Sequence, residues 1–196
     1  MLLLVDHQVG LVAGSRNPEP QDLRKNVVGL THASKILGVP IVATTTMSDG
    51  MFGPLFPELA DLLKTQEIID RTKVNPFDEP RITSSIKNTG RSKIIIAGVN
   101  TAVCTCFPAI SARSAGYTAY AAIDASGAFD KIELQTAIIR MTQAGVIVAD
   151  YNAIVVEMLE NNADPLAAQG LSHFVSLRDI YSTMTAYRTV AQARIE

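Results

Sequence analysis

Lys93-Ile-Ile-Ile-Ala-Gly-Val-Asn-Thr-Ala-Val-Cys-Thr-Cys-Phe-Pro-Ala-Ile-Ser-Ala112 is the stretch that decides the fold. Its opening segment, Ile94 to Ala97, is unbroken apolar, rich in β-branched side chains and too short for a buried helix. Such a run predicts a central strand of a parallel sheet covered on both faces. Gly98 breaks the strand, and a turn of small residues leads to Cys104, where a helical stretch begins. Both cysteines of the chain lie here, at positions 104 and 106. A thiol at a helix N-terminus meets the positive end of the peptide dipoles, which favours thiolate and so a nucleophile. Free cysteine is also a common small core residue, and the thiol by itself does not separate the two readings. Pro108 has no amide to offer the Cys104 carbonyl four residues earlier, which predicts a kink or an irregular first turn beside the thiol.

On the N-terminal side, Leu2 to Val5 predicts another buried strand, ending at Asp6-His7-Gln8. A carboxylate at the carboxyl end of a strand sits where α/β proteins place ligands, although caps and turns favour Asp as well. Gly10 to Pro20 reads as loop, with Gly14, Asn17, Pro18 and Pro20 as breakers. Asp22 can cap a helix to about Leu37, with Leu23, Val27, Leu30, Ala33 and Leu37 on one face and Gly38 as its stop. Pro40 to Thr44 is the next strand. The Gly/Pro-containing loop after it, Thr45 to Pro57, presents Met51 and Phe52 as the wall of a pocket or as an oligomer contact. A short helix over Pro57 to Leu63 precedes a third strand, Glu67 to Asp70, near a sheet edge. That strand runs into a charged loop, Arg71 to Asp78, with a conspicuous Lys73, although a loop lysine is ordinarily only solvated.

A helix from Asp78 or Glu79 to about Thr89 leads back to the opening stretch. Beyond the cysteine helix, which Gly116 closes, Thr118 to Ile123 and Val146 to Ala149 predict strands five and six. An amphipathic helix from Ile132 to Ala144 lies between them, and Asn152 to Leu159 is helical. Asp124, in the turn after strand five, reads as a structural anchor. Residues 161–196 leave the alternating pattern. Ser172 to Tyr187 reads as one or two helices with exposed apolar side chains, as in tails that pack against another subunit. The chain is thus expected to be one domain over 1–196, with 161–196 a helical extension used in oligomer contacts.

Composition narrows the function. The 196 residues, 47% hydrophobic and 18% charged, suit one soluble domain with a sizeable core. A net charge of −2 with no basic block argues against nucleic acid and anionic membrane as partners. The apolar runs fall far short of the ~18 residues that cross a bilayer. Two cysteines two positions apart cannot staple a fold, and are read as reduced thiols in a cytoplasmic compartment. The chain opens directly in a strand-like run, so further residues upstream are expected.

Strands alternating with helices predict an α/β, doubly wound, mostly parallel six-stranded sheet, helices on both faces, in the order 3-2-1-4-5-6. Strand 1 then lies beside strand 4, and Asp6 and Cys104 meet at the switch point between them. The Lys73 loop can fold over the same edge. This convergence of acid, cation and thiol favours the catalytic reading of Cys104. No Gly-x-Gly-x-x-Gly follows strand 1, so no dinucleotide cofactor is expected.

Leu3-Leu-Val-Asp6-His-Gln8, Gly53-Pro-Leu-Phe-Pro-Glu58 and Ile96-Ala-Gly-Val-Asn-Thr-Ala-Val-Cys104 resemble the isochorismatase-like hydrolase superfamily, a Rossmann-like three-layer sandwich. With Phe107 to Ala112, Asp124-Ala-Ser-Gly127 and Arg140 to Gly145, the resemblance is to its YcaC-type branch, over nearly the whole chain. It implies an Asp–Lys–Cys triad on Asp6, Lys73 and Cys104, with Arg71 close by. It also implies a non-proline cis peptide at Val99–Asn100, and an oxyanion hole from the Asn100 and Cys104 amides. Gln8, Phe52, Phe77 and Thr101 are the expected lining of the substrate pocket. His7, His32 and His173 are scattered, and the Thr44 to Pro57 region has no histidine where nicotinamidases of the superfamily bind a metal. No metal is therefore expected.

The implied activity is hydrolysis of a small amide or related carbonyl compound through a Cys104 thioester, with Cys106 as packing. Relatives of the branch form large homo-oligomers, octamers in the type member. The alternative is a thiol-bearing, redox-responsive or structural homo-oligomer with little turnover.

Overall fold

The computed structural model describes residues 1–161 and 163–165, with single positions at 187 and 192. Six strands form one sheet: β1 (Leu2–Val5), β2 (Ile41–Thr46), β3 (Ile68–Arg71), β4 (Lys93–Gly98), β5 (Thr118–Ala122) and β6 (Ile147–Ala149). Their order is β3-β2-β1-β4-β5-β6, and every neighbouring pair is parallel. The connecting helices are α1 (Val9–Gly14), α2 (Pro20–Ile36), α3 (Pro57–Leu63), α4 (Pro80–Asn88), α5 (Cys106–Ser114), α6 (Lys131–Gln143) and α7 (Tyr151–Leu159). This is the doubly wound architecture and strand order that the sequence predicts.

Residue parity along the central strands divides the core into two layers. Leu2 and Leu4 of β1, with Ile95 and Ala97 of β4, face Leu23, Val27 and Leu30 of α2 and Tyr151, Ile154 and Val155 of α7. Leu3 and Val5, with Ile94 and Ile96, face Ile82 and Ile86 of α4, Ala109 and Ala112 of α5, and Ala137 and Met141 of α6. Successive side chains on a strand point to opposite faces, so apolar residues at consecutive positions require cover on both sides. The register sets Val5 opposite both Thr44 and Gly98, so Asp6 and Val99 emerge side by side at the strand carboxyl ends.

The local departures have physical causes. Val9–Gly14 is helical where the sequence reads as loop, because tertiary contacts hold this short segment. The Val9 and Gly10 amides donate to the Pro54 and Phe52 carbonyls, each at 2.9 Å, and Val12 joins the core. Glycine suits position 10, where a Cβ would lie 2.9 Å from the Met51 carbonyl oxygen. Helix α2 starts at Pro20 rather than Asp22, since the fixed φ of proline fits a first helical turn. The expected helices over Ser172 to Tyr187, and the extension 161–196 as a whole, lie outside the described residues apart from the positions named above. Among the described residues no helix is long and apolar enough to cross a membrane.

Candidate active site

Asp6 after β1, Arg71 at the end of β3 and Cys104 in the turn after β4 meet at the reversal between β1 and β4. Asp6 directly follows β1 and has φ 59°, a left-handed conformation uncommon outside glycine. Arg71 is the last residue of β3, whose burial alternates so that Ile69 and Arg71 are buried while Asp70 is exposed. Its Nη2 donates to Asp6 Oδ2 at 2.6 Å, with both side chains shut off from solvent. The guanidinium is steadied by a second bond, Nη1 to the Lys73 carbonyl at 2.8 Å. Lys73, expected as the triad cation, is itself exposed. It is Arg71 that lies against the Asp6 carboxylate, because the inward-facing end of β3 reaches it and the loop beyond turns out to solvent.

Cys104 lies in a π-helical turn, Thr101–Thr105, that leads into α5. This is the irregular turn expected from Pro108, whose missing amide leaves the Cys104 carbonyl without the α-helical bond. Gly98 lets the turn close against β4, since a Cβ there would lie 2.8 Å from the Cys104 carbonyl oxygen. Behind the turn, Thr105 Oγ1 is 3.1 Å from both the Gly98 carbonyl and Ser126 Oγ, and Ser126 Oγ donates to the Ala122 carbonyl at 2.8 Å. Cys104 keeps 9% of its surface exposed against 1% for Asp6 and 3% for Arg71, so a small molecule reaches the thiol before the ion pair.

Burial dominates the electrostatics. It raises the proton affinity of Asp6 above that of an ordinary carboxylate despite the Arg71 charge and a thiol hydrogen bond from Cys104. Burial, and then the Asp6 charge, push the Cys104 thiol well up, while Arg71 and the Asn100 backbone amide favour its thiolate. The resting pair is thus a thiol beside a carboxylate of enhanced basicity. Asp6 Oδ1, Arg71 Nε and Thr101 Oγ1 are buried without a well-formed hydrogen bond among the described residues. Unused polar capacity of this kind is unusual in a core and common where a substrate supplies the partners.

The Val99–Asn100 peptide is cis. Of the two amides expected to form an oxyanion hole, that of Asn100 is directed at the Cys104 sulfur. The Cys104 amide donates to the Asn100 carbonyl at 2.7 Å. Gln8, expected in the pocket, is a buried clamp: Nε2 donates to the Thr46 and Gly53 carbonyls at 3.0 and 2.6 Å, and Oε1 accepts from the Thr46 amide at 2.9 Å. Phe52 and Phe77 are half-buried and Thr101 is buried in the nucleophile turn. Cys106 is fully buried in the layer with Ala109 and Met141. Among the described residues no three His, Cys, Asp or Glu side chains are grouped as metal ligands. A cavity of about 530 Å3 at the opposite end of the sheet, bounded by Met1, Pro40 and Lys93, contains none of these residues.

Residues 1–153 match the family model described as Isochorismatase domain. The chain belongs to the isochorismatase family. It is 34% identical over 197 residues to the probable hydrolase YcaC of Escherichia coli, covering 98% of this chain and 93% of that protein. The crystal structure of that gene product, an octameric hydrolase of unknown specificity, superposes with a TM-score of 0.89 at 35% identity, over 96% of this chain and 93% of that one. YcaC from Pseudomonas aeruginosa, solved with hexane-2,5-diol and covalent acrylamide, gives 0.85 at 30% identity, over 100% and 94%. In this isochorismatase-family chain Arg71, which sequence reasoning placed only close by, is the cation paired with Asp6. The signal was available in the strand's alternation, which puts Arg71 on the side of Ile69.

Proposed function

We propose that this chain is a cysteine hydrolase that cleaves a small amide or related carbonyl compound through a thioester on Cys104. The observation that carries the reading is the Asp6–Arg71 ion pair, buried from solvent, with the Cys104 thiol beside its carboxylate. Family membership supports hydrolysis as the reaction class, and the covalent acrylamide in the Pseudomonas relative fits a site that takes a small amide electrophile.

The thiol proton passes to Asp6 as the sulfur attacks the carbonyl carbon. Arg71 stabilises the negative charge that moves between carboxylate and sulfur. The Asn100 amide, already directed at the sulfur, receives the oxyanion that forms beside it. Collapse breaks the bond to the leaving amine, which takes the proton from Asp6. Water then gives a proton to Asp6 as it attacks the thioester, and the proton returns to sulfur as the carboxylic acid departs. A homo-oligomer like that of the Escherichia coli relative is proposed as the working form, with Ile132 and Ile139 of α6 exposed for contact.

Mass spectrometry after brief exposure to amides, nitriles and p-nitrophenyl esters tests the reading. Cys104→Ala is expected to abolish both adduct and turnover, while Cys106→Ala keeps most of each. Equal losses in the two variants would sink the assignment. Oxidation of Cys104 without any acyl adduct would favour a redox-responsive assembly instead.

A further inference from the structure

We propose that Glu133 is a positioning residue for the nucleophile turn, acting through the Asn100 side chain; this rests on the hydrolase reading for its catalytic consequence. Glu133 lies in the first turn of α6, on a different element from any of the three site residues. Its Oε2 accepts from Asn100 Nδ2 at 2.9 Å and from the Phe129 amide at 3.1 Å. The other end of the Asn100 side chain, Oδ1, accepts from the Ala102 amide at 2.6 Å and caps the π-helical turn. The Asn100 carbonyl takes the Cys104 amide at 2.7 Å. Both polar ends of one side chain and its main-chain carbonyl are therefore committed, and the only side chain in that set belongs to Glu133.

Asn100 is mostly buried, at 8% exposure, whereas Glu133 is half-buried, so the carboxylate keeps access to water while it fixes an amide that does not. Without Glu133, Asn100 Nδ2 loses its acceptor and the side chain is free to leave Ala102. The backbone that presents the Asn100 N–H to the Cys104 sulfur then loses its anchor. Glu133 has a plainer duty as well. Its own amide donates to the capping Asp130 Oδ1 at 2.9 Å, and its carboxylate lies at a helix N-terminus where negative charge is favourable. A test must separate capping, charge and positioning.

The three make different predictions for the thiol. Asp6 and Arg71 are the charged groups against Cys104, and neither is altered in the variants below. The rate of Cys104 alkylation by iodoacetamide, followed against pH by mass spectrometry on the full-length protein, reports the thiolate. In Glu133→Ala and in Asn100→Ala the profile should move to higher pH, with alkylation at neutral pH about tenfold slower, equivalent to one pH unit. Glu133→Gln keeps an acceptor oxygen and should stay within about twofold of wild type. If Glu133 acts only as a charge, both Glu133 variants move the profile to lower pH, the opposite sign. If it acts only as a cap, Asn100→Ala leaves the profile in place. Either result overturns the proposal, as does a Glu133→Ala profile that superimposes on wild type. Should Glu133→Ala fail to fold, as judged by circular dichroism, the Asn100→Ala and Glu133→Gln pair decides alone.

A parallel assay with p-nitrophenyl acetate reads the oxyanion. The two alanine variants should lose about tenfold or more in kcat with KM within twofold. Absence of any acyl adduct on Cys104 in the wild type would refute the hydrolase reading, while the alkylation profiles would still decide the role of Glu133.

Discussion

Arg71 and Lys73 are two residues apart in a sequence where either could supply a cation, and their environments differ completely. Arg71 places its guanidinium on Asp6 and on the Lys73 carbonyl, shut off from solvent. Arg71→Ala would leave Asp6 buried and unpaired, which costs roughly 3–5 kcal/mol in comparable buried pairs. The carboxyl would then be held protonated and unable to accept the thiol proton. Urea denaturation and Cys104 acylation should both register the change. Lys73→Ala removes an exposed side chain and keeps the carbonyl that Arg71 uses, so stability should stay within about 0.5 kcal/mol and acylation near wild type. Similar losses in the two variants would show that the site depends on Lys73 as well. The lysine drew attention in the sequence because the family resemblance implies an Asp–Lys–Cys triad and its loop can fold over the switch point. Arg71 was placed only close by, because a buried arginine at a strand end has the same one-letter polarity as a solvated one.

At the scale of elements, the junction of β4 with the π-helical turn is the most constrained part of the chain. Gly98 ends the strand with its Cα near both Val5 and Cys104: an added Cβ would lie 2.8 Å from the Cys104 carbonyl oxygen and 3.0 Å from that of Val5. Both obstacles are backbone and neither can rotate away. Gly98→Ala should therefore destabilise the fold by about 1–3 kcal/mol, the usual range for overpacking, and slow Cys104 alkylation by displacing the turn. A thermal melt together with the iodoacetamide rate checks both, and an unchanged rate would show that the turn tolerates the shift. The irregularity of this turn was legible from Pro108 alone. The helix at Val9–Gly14 was not, because the carbonyls that hold it belong to a loop more than forty residues away, and no local pattern reports them.

For the molecule as a whole, a buried histidine and a half-buried aspartate couple folding to pH with opposite signs. His7, whose Nε2 bonds the Ala125 carbonyl at 2.9 Å, is lowered by burial from 6.5 to about 4. The unfolded chain binds its proton first, so this contribution is complete above about pH 6.5 and is lost as pH falls toward 4. Asp124, which accepts from the Tyr151 amide at 2.7 Å, is raised from 3.8 to about 6, chiefly by burial. Here the folded chain binds the proton first, and stability declines as pH rises across that interval. The two effects offset over nearly the same window. Asp124→Asn keeps an acceptor for Tyr151 and removes only the second, so its urea midpoint should fall more steeply than that of wild type between pH 6.5 and 4; parallel curves would refute the coupling. The strand order was readable from the apolar runs Leu2–Val5 and Ile94–Ala97, since doubly wound connectivity leaves few alternatives. Which polar side chains meet above that sheet depends on where each strand stops, and at the end of β3 one residue's facing puts Arg71 on Asp6. That strand lies at the sheet margin, four residues long and bonded on one side only. The acid and thiol lie in the segments that follow the two innermost strands, so fraying of the margin withdraws the positive charge while leaving the other two partners in place, and chemical competence can lapse at temperatures where the protein still counts as folded.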